Sequence, residues 1–307
     1  MTCYLFPGQG AQYPGMGRDL YEYSREVRLL FEEASDNSGR DFARLLFEGS
    51  EKELKSTDNT QTAVTLVNLA SSQVLAEHGI FPDICAGFSL GEFSALYQAG
   101  VIGRDDLFSL VRIRGEAMER ASRALDSTEG PPGMMAVIGL EIDDVEAAIA
   151  DIESIYVANH SGPTQVVLSG ISKAMSIAET KLNEAGAMRI VRLEVSGPFH
   201  SPLMAGAREE FSEHMANIRF SDPTIAVFVN VTGKVLKSGK DAKKYCLEQL
   251  ISPVQWVASE RGIMELSPER VLETGPGTVL SGLWKSLRNG LKCVTAGTLT
   301  SINELSA

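Results

Sequence analysis

Three side chains in this 307-residue sequence have the types and settings needed for acyl chemistry. The first is Ser89, inside Gly87-Phe-Ser-Leu-Gly91. A G-x-S-x-G run lets the backbone turn hard between a strand and a helix. The hydroxyl then projects at the helix start, and the next backbone N–H, that of Leu90, can donate to a forming oxyanion. The competing reading is an ordinary strand–helix loop with Ser89 as an N-cap. The second is a base for that serine, and only four histidines exist. His78 precedes Gly79 at a helix end, and His214 lies in a helix with a solvent-facing position. His160 falls in a loop between two strands and stays open. His200, in Ser196-Gly-Pro-Phe-His-Ser-Pro-Leu-Met204, follows a strand and precedes a helix start at Ser201-Pro202. A helix N-terminus disfavours imidazolium and keeps the ring a base. A structural histidine in a tight loop is the alternative.

The third is Arg114. Leu107, Leu110, Val111, Met118 and Ala121 form the apolar stripe of a helix over 105–121, and Arg114 occupies the position missing from it. An inward guanidinium must be paired, because a dry, unpaired charge costs several kcal/mol. Its flat fork suits a carboxylate held at two points. That carboxylate is either an internal Asp or Glu or part of a substrate.

The elements that must position these residues read as α/β. Thr2–Phe6 is strand-like and runs into Pro7-Gly-Gln-Gly-Ala-Gln12. Helical patterns follow over 18–34, 39–48 and 60–78, then a strand at 83–86 and a helix over 92–98. The middle has a different rhythm: strand 133–140, helix 143–152, strands 154–158 and 165–169, helix 172–185, strand 188–195. That is the βαββαβ, or ferredoxin-like, order. The turn-rich stretch 126–133 marks a boundary. The expected layout is a large domain over 1–127 and 198–307, with a small subdomain over 128–197 inserted into it. The chain returns with a helix from Ser201 to about Ile218, strands at 226–230 and 270–273, and a helix over 278–287.

Composition excludes several classes. With 28 basic and 40 acidic residues the net charge is −12, against broad nucleic-acid binding. No apolar run approaches the roughly 20 residues that cross a bilayer, and no secretory signal is expected. Cys3, Cys85, Cys246 and Cys293 stand far apart with no CxxC pair, so a reducing cytosol is the simplest setting. A monomer is the default expectation.

Seven motifs in order then carry a resemblance: Phe6-Pro-Gly-Gln-Gly-Ala-Gln12, Gly87-Phe-Ser-Leu-Gly-Glu92, Arg112-Ile-Arg-Gly115, Asn159 through Gln165-Val-Val-Leu-Ser-Gly170, Gly197-Pro-Phe-His-Ser201, Pro253-Val-Gln-Trp256 and Glu273-Thr-Gly-Pro-Gly277. The chain resembles, over essentially its whole length, malonyl-CoA:acyl-carrier-protein transacylases and the acyltransferase domains of polyketide synthases. The resemblance implies an α/β-hydrolase-like core with a parallel sheet and an inserted ferredoxin-like subdomain. It implies Ser89 as acylated nucleophile, His200 as its base, Gln9 and the Leu90 N–H as oxyanion hole, and Arg114 as clamp for the malonyl carboxylate. It gives the Gln255 carbonyl the task of orienting His200. Phe88 stands where the family usually has histidine, and with Met118 and Phe199 it is expected to wall the acyl pocket. Phe199 matches the subgroup preferring malonyl over methylmalonyl, a steric preference of about 1–3 kcal/mol.

The implied reaction is a ping-pong transfer from malonyl-CoA to the phosphopantetheine thiol of acyl carrier protein, with no metal or redox cofactor. An acidic carrier needs a local basic patch. Lys285, Arg288 and Lys292 form one candidate and Lys240, Lys243 and Lys244 another, with a solvated charged face as the alternative for each. Two other readings stay open: an acyl hydrolase that clears stalled groups from carrier proteins, and a non-catalytic carrier-docking module. Arg114 argues against the first, since a cleaner of neutral acyl chains gains nothing from a carboxylate clamp.

Overall fold

A computed structural model describes residues 1–126 and 130–306. The described residues form ten strands: β1 (Thr2–Phe6), β2 (Ile84–Gly87), β3 (Gly133–Ile138), β4 (Ile155–Gly162), β5 (Gln165–Gly170), β6 (Arg189–Arg192), β7 (Ala226–Val229), β8 (Lys234–Val235), β9 (Arg270–Glu273) and β10 (Cys293–Thr295). They form a six-stranded sheet in the order β10-β9-β1-β2-β7-β8 and a four-stranded sheet in the order β4-β5-β3-β6. The fold is mixed α/β.

The large sheet is parallel from β10 through β7, and only β8 runs antiparallel. Parallel strands need crossovers and are buried on both faces. β1 meets that demand with five consecutive buried residues. Its alternate side chains divide between two cores, as the period of two requires. Tyr4 and Phe6 join the larger cluster with the helices Thr57–Glu77 and Arg104–Arg123. Cys3 and Leu5 join the other, with Trp256, Ile263 and Trp284.

The four-stranded sheet is antiparallel throughout, and the chain order from β3 to β6 is strand, helix, strand, strand, helix, strand. Met135 and Val137 of β3 face the helices Ile142–Ile149 and Ser172–Glu184. Met134 and Ala136 pack instead with the larger cluster of the main sheet. The expected boundary at 127/128 lies outside the described residues.

Several expectations shift. The pattern over 18–34 is two helices, Arg18–Tyr23 and Arg25–Ser38, because Ser24 leaves the helical conformation and its hydroxyl accepts from the Val27 N–H at 3.2 Å. His160 lies inside β4, in a bulged stretch, rather than in a loop. Helices Gly239–Glu248, Trp256–Glu265 and Leu299–Ser306 carry no expectation from the sequence. No described helix is long and apolar enough to cross a membrane.

Candidate active site

The loops that follow β1, β2, β7 and β9 converge at the C-terminal ends of the parallel strands, where open α/β sheets place their sites. After β2 the chain turns through Phe88 and Ser89 into the helix Gly91–Gln98. Ser89 sits at φ 51°, the left-handed region. The two flanking glycines permit this by close approach. A Cβ on Gly87 would lie 2.0 Å from the Gly91 carbonyl, and one on Gly91 would lie 2.0 Å from the Phe6 carbonyl oxygen. Ser89 is therefore held on a strained turn, not in the extended geometry of an N-cap.

His200 reaches this serine across 111 residues, with Nε2 2.6 Å from Ser89 Oγ. It is buried and also sits in the left-handed region, at φ 57°. The structure revises what sets its basicity. Burial and the Arg114 guanidinium push its pKa down to about 4, while backbone carbonyl contacts at Gln249 and Ser252 oppose the shift. Ser201 precedes the helical turn as expected but caps it by position alone: its hydroxyl donates to the Pro198 carbonyl at 2.5 Å, and the 3-10 turn Pro202–Met204 leads into the helix Ala205–Met215.

The carbonyl that meets His200 Nδ1, at 2.7 Å, belongs to Gln249. Gln255 does not hold that position. Its carbonyl accepts from the N–H and hydroxyl of Ser259, at 3.0 and 3.2 Å, and so begins the helix Trp256–Glu265. The reason is local. Gln249 follows the last residue of the helix Gly239–Glu248, and a helix end leaves carbonyls without intrahelical partners. One of these is aimed at the imidazole.

Arg114 is fully buried on the helix Arg104–Arg123, and no carboxylate pairs with it among the described residues. Its partners are neutral. Nη1 donates to Gln61 Oε1 at 2.7 Å; Nη2 donates to Gln249 Oε1 at 3.0 Å and to Ser89 Oγ at 3.2 Å. Nε has no partner, and the Phe93 ring lies 5.5 Å from the guanidinium carbon. Burial lowers its pKa to about 10, with Glu92 opposing, so it stays cationic at neutral pH. A buried cation fixed by amides beside a nucleophile is oriented but not neutralised, which leaves it able to take an anionic ligand.

The Pro7–Gln9 loop lies against the elbow. A Cβ on Gly8 would be 2.4 Å from the Phe88 carbonyl oxygen and 3.5 Å from the Leu90 nitrogen. Asn68 holds the loop by donating to the Pro7 carbonyl at 3.0 Å. The Gln9 side chain accepts from Gln61 Nε2 at 3.3 Å. Among the described residues, neither the Gln9 nor the Leu90 backbone N–H has an acceptor, so both are available donors beside Ser89.

The three residues expected in the acyl pocket separate. Met118 and Phe199 belong to the apolar cluster on the Arg114 side, with Leu90 and Phe93. Phe88 packs with the other cluster, its ring edge-on to Trp256 at 5.3 Å. Trp256 in turn donates to buried Glu260 at 2.8 Å. Lys285, Arg288 and Lys292 line one surface cleft of about 700 Å³. The second basic group is partly engaged: Lys243 donates to the Ala216 and Ile218 carbonyls, and Lys244 lies 3.6 Å from Glu248.

Sequence reasoning gave no part to Gln61, Asn230, Glu92 or the Gln249 side chain. Gln61 had a signal: with Thr65, Asn68 and Ser72 it forms a polar stripe at helical spacing on the helix Thr57–Glu77, and all four are buried. Glu92 is also buried, and burial pushes its carboxyl up to about 7.

Comparison with known proteins places this geometry. The model of the acyl transferase domain family matches residues 3–301. The malonyl CoA-acyl carrier protein transacylase of Bacillus subtilis is 37% identical over 296 residues, covering 95% of this chain and 92% of that protein. The chain belongs to this transacylase family. The transacylase of Haemophilus influenzae is 35% identical, covering 98% of this chain and 96% of its own. Among solved structures, an acyl carrier protein S-malonyltransferase from Vibrio cholerae superimposes with a TM-score of 0.93 at 35% identity, covering 99% of both chains. A malonyl-transacylase in complex with its type II polyketide synthase acyl-carrier protein gives 0.93 at 35% identity, covering 98% of this chain and 97% of its own. The chain is thus an acyltransferase, and the serine, the histidine and the amide-held arginine are its candidate machinery.

Proposed function

We propose that this acyltransferase moves a malonyl group from malonyl-CoA to the phosphopantetheine thiol of acyl carrier protein through a malonyl-Ser89 intermediate. The observation that carries the substrate class is the buried Arg114, 3.2 Å from Ser89 Oγ and held by neutral amides alone. The substrates in the relatives' names support the same reading.

In the first half-reaction Ser89 Oγ attacks the thioester carbonyl while His200 Nε2 takes its proton. The backbone N–H groups of Gln9 and Leu90 receive the oxyanion, and Arg114 grips the far carboxylate. Collapse breaks the C–S bond, and His200 returns the proton to the leaving CoA thiolate. In the second, the carrier thiol gives its proton to His200 and attacks the malonyl ester, and Ser89 is reprotonated as it leaves. The Gln249 carbonyl keeps the Nδ1 proton in place and so fixes the tautomer that exposes Nε2 to Ser89.

The carrier is proposed to dock beside Lys285 and Arg288, whose cleft is basic on an acidic protein. We also read the two sheets as an α/β-hydrolase-like core over 1–127 and 198–307 and an inserted ferredoxin-like subdomain over 128–197. The parallel order of one sheet and the βαββαβ order of the other support this.

Intact-protein mass spectrometry after exposure to malonyl-CoA tests the core of the proposal. Wild type is expected to gain one malonyl group and to release it to carrier thiol faster than to water. Equal labelling of Ser89→Ala, or release to water alone, overturns it.

A further inference from the structure

We propose that Asn230 is a positioning residue that holds the nucleophile turn in its strained shape by acting as a substitute strand. The inference rests on Ser89 being the acylated nucleophile. Asn230 follows the last residue of β7, is buried, and touches neither the imidazole of His200 nor the guanidinium of Arg114 by any described hydrogen bond. Yet every polar group it owns is directed at the parts that build the site. Its side-chain Oδ1 accepts from the Ser89 N–H at 2.7 Å, and its Nδ2 donates to the Gly87 carbonyl at 2.6 Å. Its backbone N–H donates to the Glu92 carboxyl, and its carbonyl accepts from the Gln255 N–H at 2.8 Å. The amide orientation is fixed by these partners, since an N–H can only donate and a carbonyl can only accept.

The register explains why a side chain does this work. β2 and β7 run parallel, with Ala86 opposite Phe228. Two residues on, Phe88 falls opposite Asn230. In a parallel ladder, one residue donates to the carbonyl before its partner and accepts from the N–H after it. Gly87 C=O and Ser89 N–H are those two groups around Phe88. The Asn230 backbone has turned away by this point, to Glu92 and Gln255. Its side-chain amide supplies the two missing ladder bonds. On the other side of the turn, the Phe88 N–H still donates to the Phe6 carbonyl of β1 at 3.0 Å. The turn is therefore clamped from both neighbouring strands, by backbone on one side and by a side chain on the other. Without the amide, nothing on the β7 side opposes relaxation of Ser89 out of the left-handed region.

The test uses two probes on the full chain, malonyl-CoA and an organophosphonofluoridate, each followed by intact mass at Ser89. With the second probe an O–P bond forms, fluoride leaves and His200 takes the proton, so the grip of Arg114 on a malonyl carboxylate plays no part. Asn230→Ala is expected to slow both labellings by about 10- to 100-fold while KM for malonyl-CoA stays within about threefold. Asn230→Asp keeps an acceptor for the Ser89 N–H and loses the donor to Gly87. It is expected to label at a rate between alanine and wild type, and it decides the matter if the alanine variant does not fold. Wild-type labelling by a folded Asn230→Ala, a defect confined to KM, or an aspartate variant as slow as alanine overturns the proposal. Wild type that reacts with the phosphonofluoridate and takes no malonyl group overturns the transfer reading instead, and leaves the role of Asn230 measurable.

Discussion

The two sheets of this protein solve opposite problems. Around β3–β6 the hydrogen bonds form antiparallel ladders, broken only by the bulges of β4, and one face packs Met135, Val137, Val166 and Leu168 under two helices. At the C-terminal ends of β1, β2 and β7 the ladders stop. Two non-glycine residues, Ser89 and His200, take left-handed backbone, and the buried groups are Arg114, Glu92, Gln249 and Asn230. The two ionisable groups, Arg114 and Glu92, meet amides rather than an opposite charge at hydrogen-bonding distance. The small sheet buries apolar area for stability, whereas the end of the large sheet keeps polar groups oriented and uncancelled for chemistry. Substitutions should therefore separate: activity without stability at one end, stability without activity at the other.

The largest effect is expected at His200. His200→Ala should lower the rate of Ser89 acylation by about 10³- to 10⁴-fold with little change in KM, read by pre-steady-state labelling. The same base predicts the acid limb in the wild type. Its pKa is depressed to about 4, so the neutral ring persists through weakly acidic pH, and acylation should fall with a midpoint near 4 rather than 6.5. The sign for stability follows. The unfolded ring binds a proton below its ordinary value and the folded ring does not, so this contribution to stability is lost as pH falls from the unfolded value toward 4. A midpoint near 6.5 would mean that burial and Arg114 do not set this base.

Arg114→Ala comes next. Removing the fixed cation should reduce kcat/KM for malonyl-CoA by about 100-fold while acetyl-CoA is spared or improved. Equal losses for both esters would make the arginine structural and erase the contrast between the two ends.

Glu260→Gln has a smaller effect, in stability alone. Burial pushes the Glu260 carboxyl up to about 8, so folding requires proton uptake once pH exceeds the ordinary carboxylate range. That cost grows as pH rises toward 8. Glutamine keeps an acceptor for the Trp256 N–H and removes the ionisation. The variant should gain about 1–3 kcal/mol over wild type at pH 8 and little at pH 5, measured by urea unfolding. An equal change at both pH values would refute this.

The smallest effect is placed in the other sheet. Ile155→Val shortens a buried side chain of β4 and should cost about 0.5–1.5 kcal/mol of stability with kcat unchanged. A loss of kcat there would show that the small sheet also tunes the site.

The sequence by itself determined what depends on local sterics and periodicity. The G-x-S-x-G spacing announced a turn that only glycine-flanked backbone can make. A charged residue in an apolar helical stripe announced a buried guanidinium, and the βαββαβ order announced a second, smaller sheet. Tertiary structure decided who holds these groups in place. Gln249 reaches His200 across 49 residues, Gln61 reaches Arg114 across 53, and Asn230 reaches Ser89 across 141. Such contacts leave no spacing behind, because any amide or carbonyl brought to the right place can serve. That is why the carbonyl at His200 was expected from Gln255 and belongs to Gln249. Hydrogen-bond chemistry limits which groups qualify, and only the folded chain selects among them.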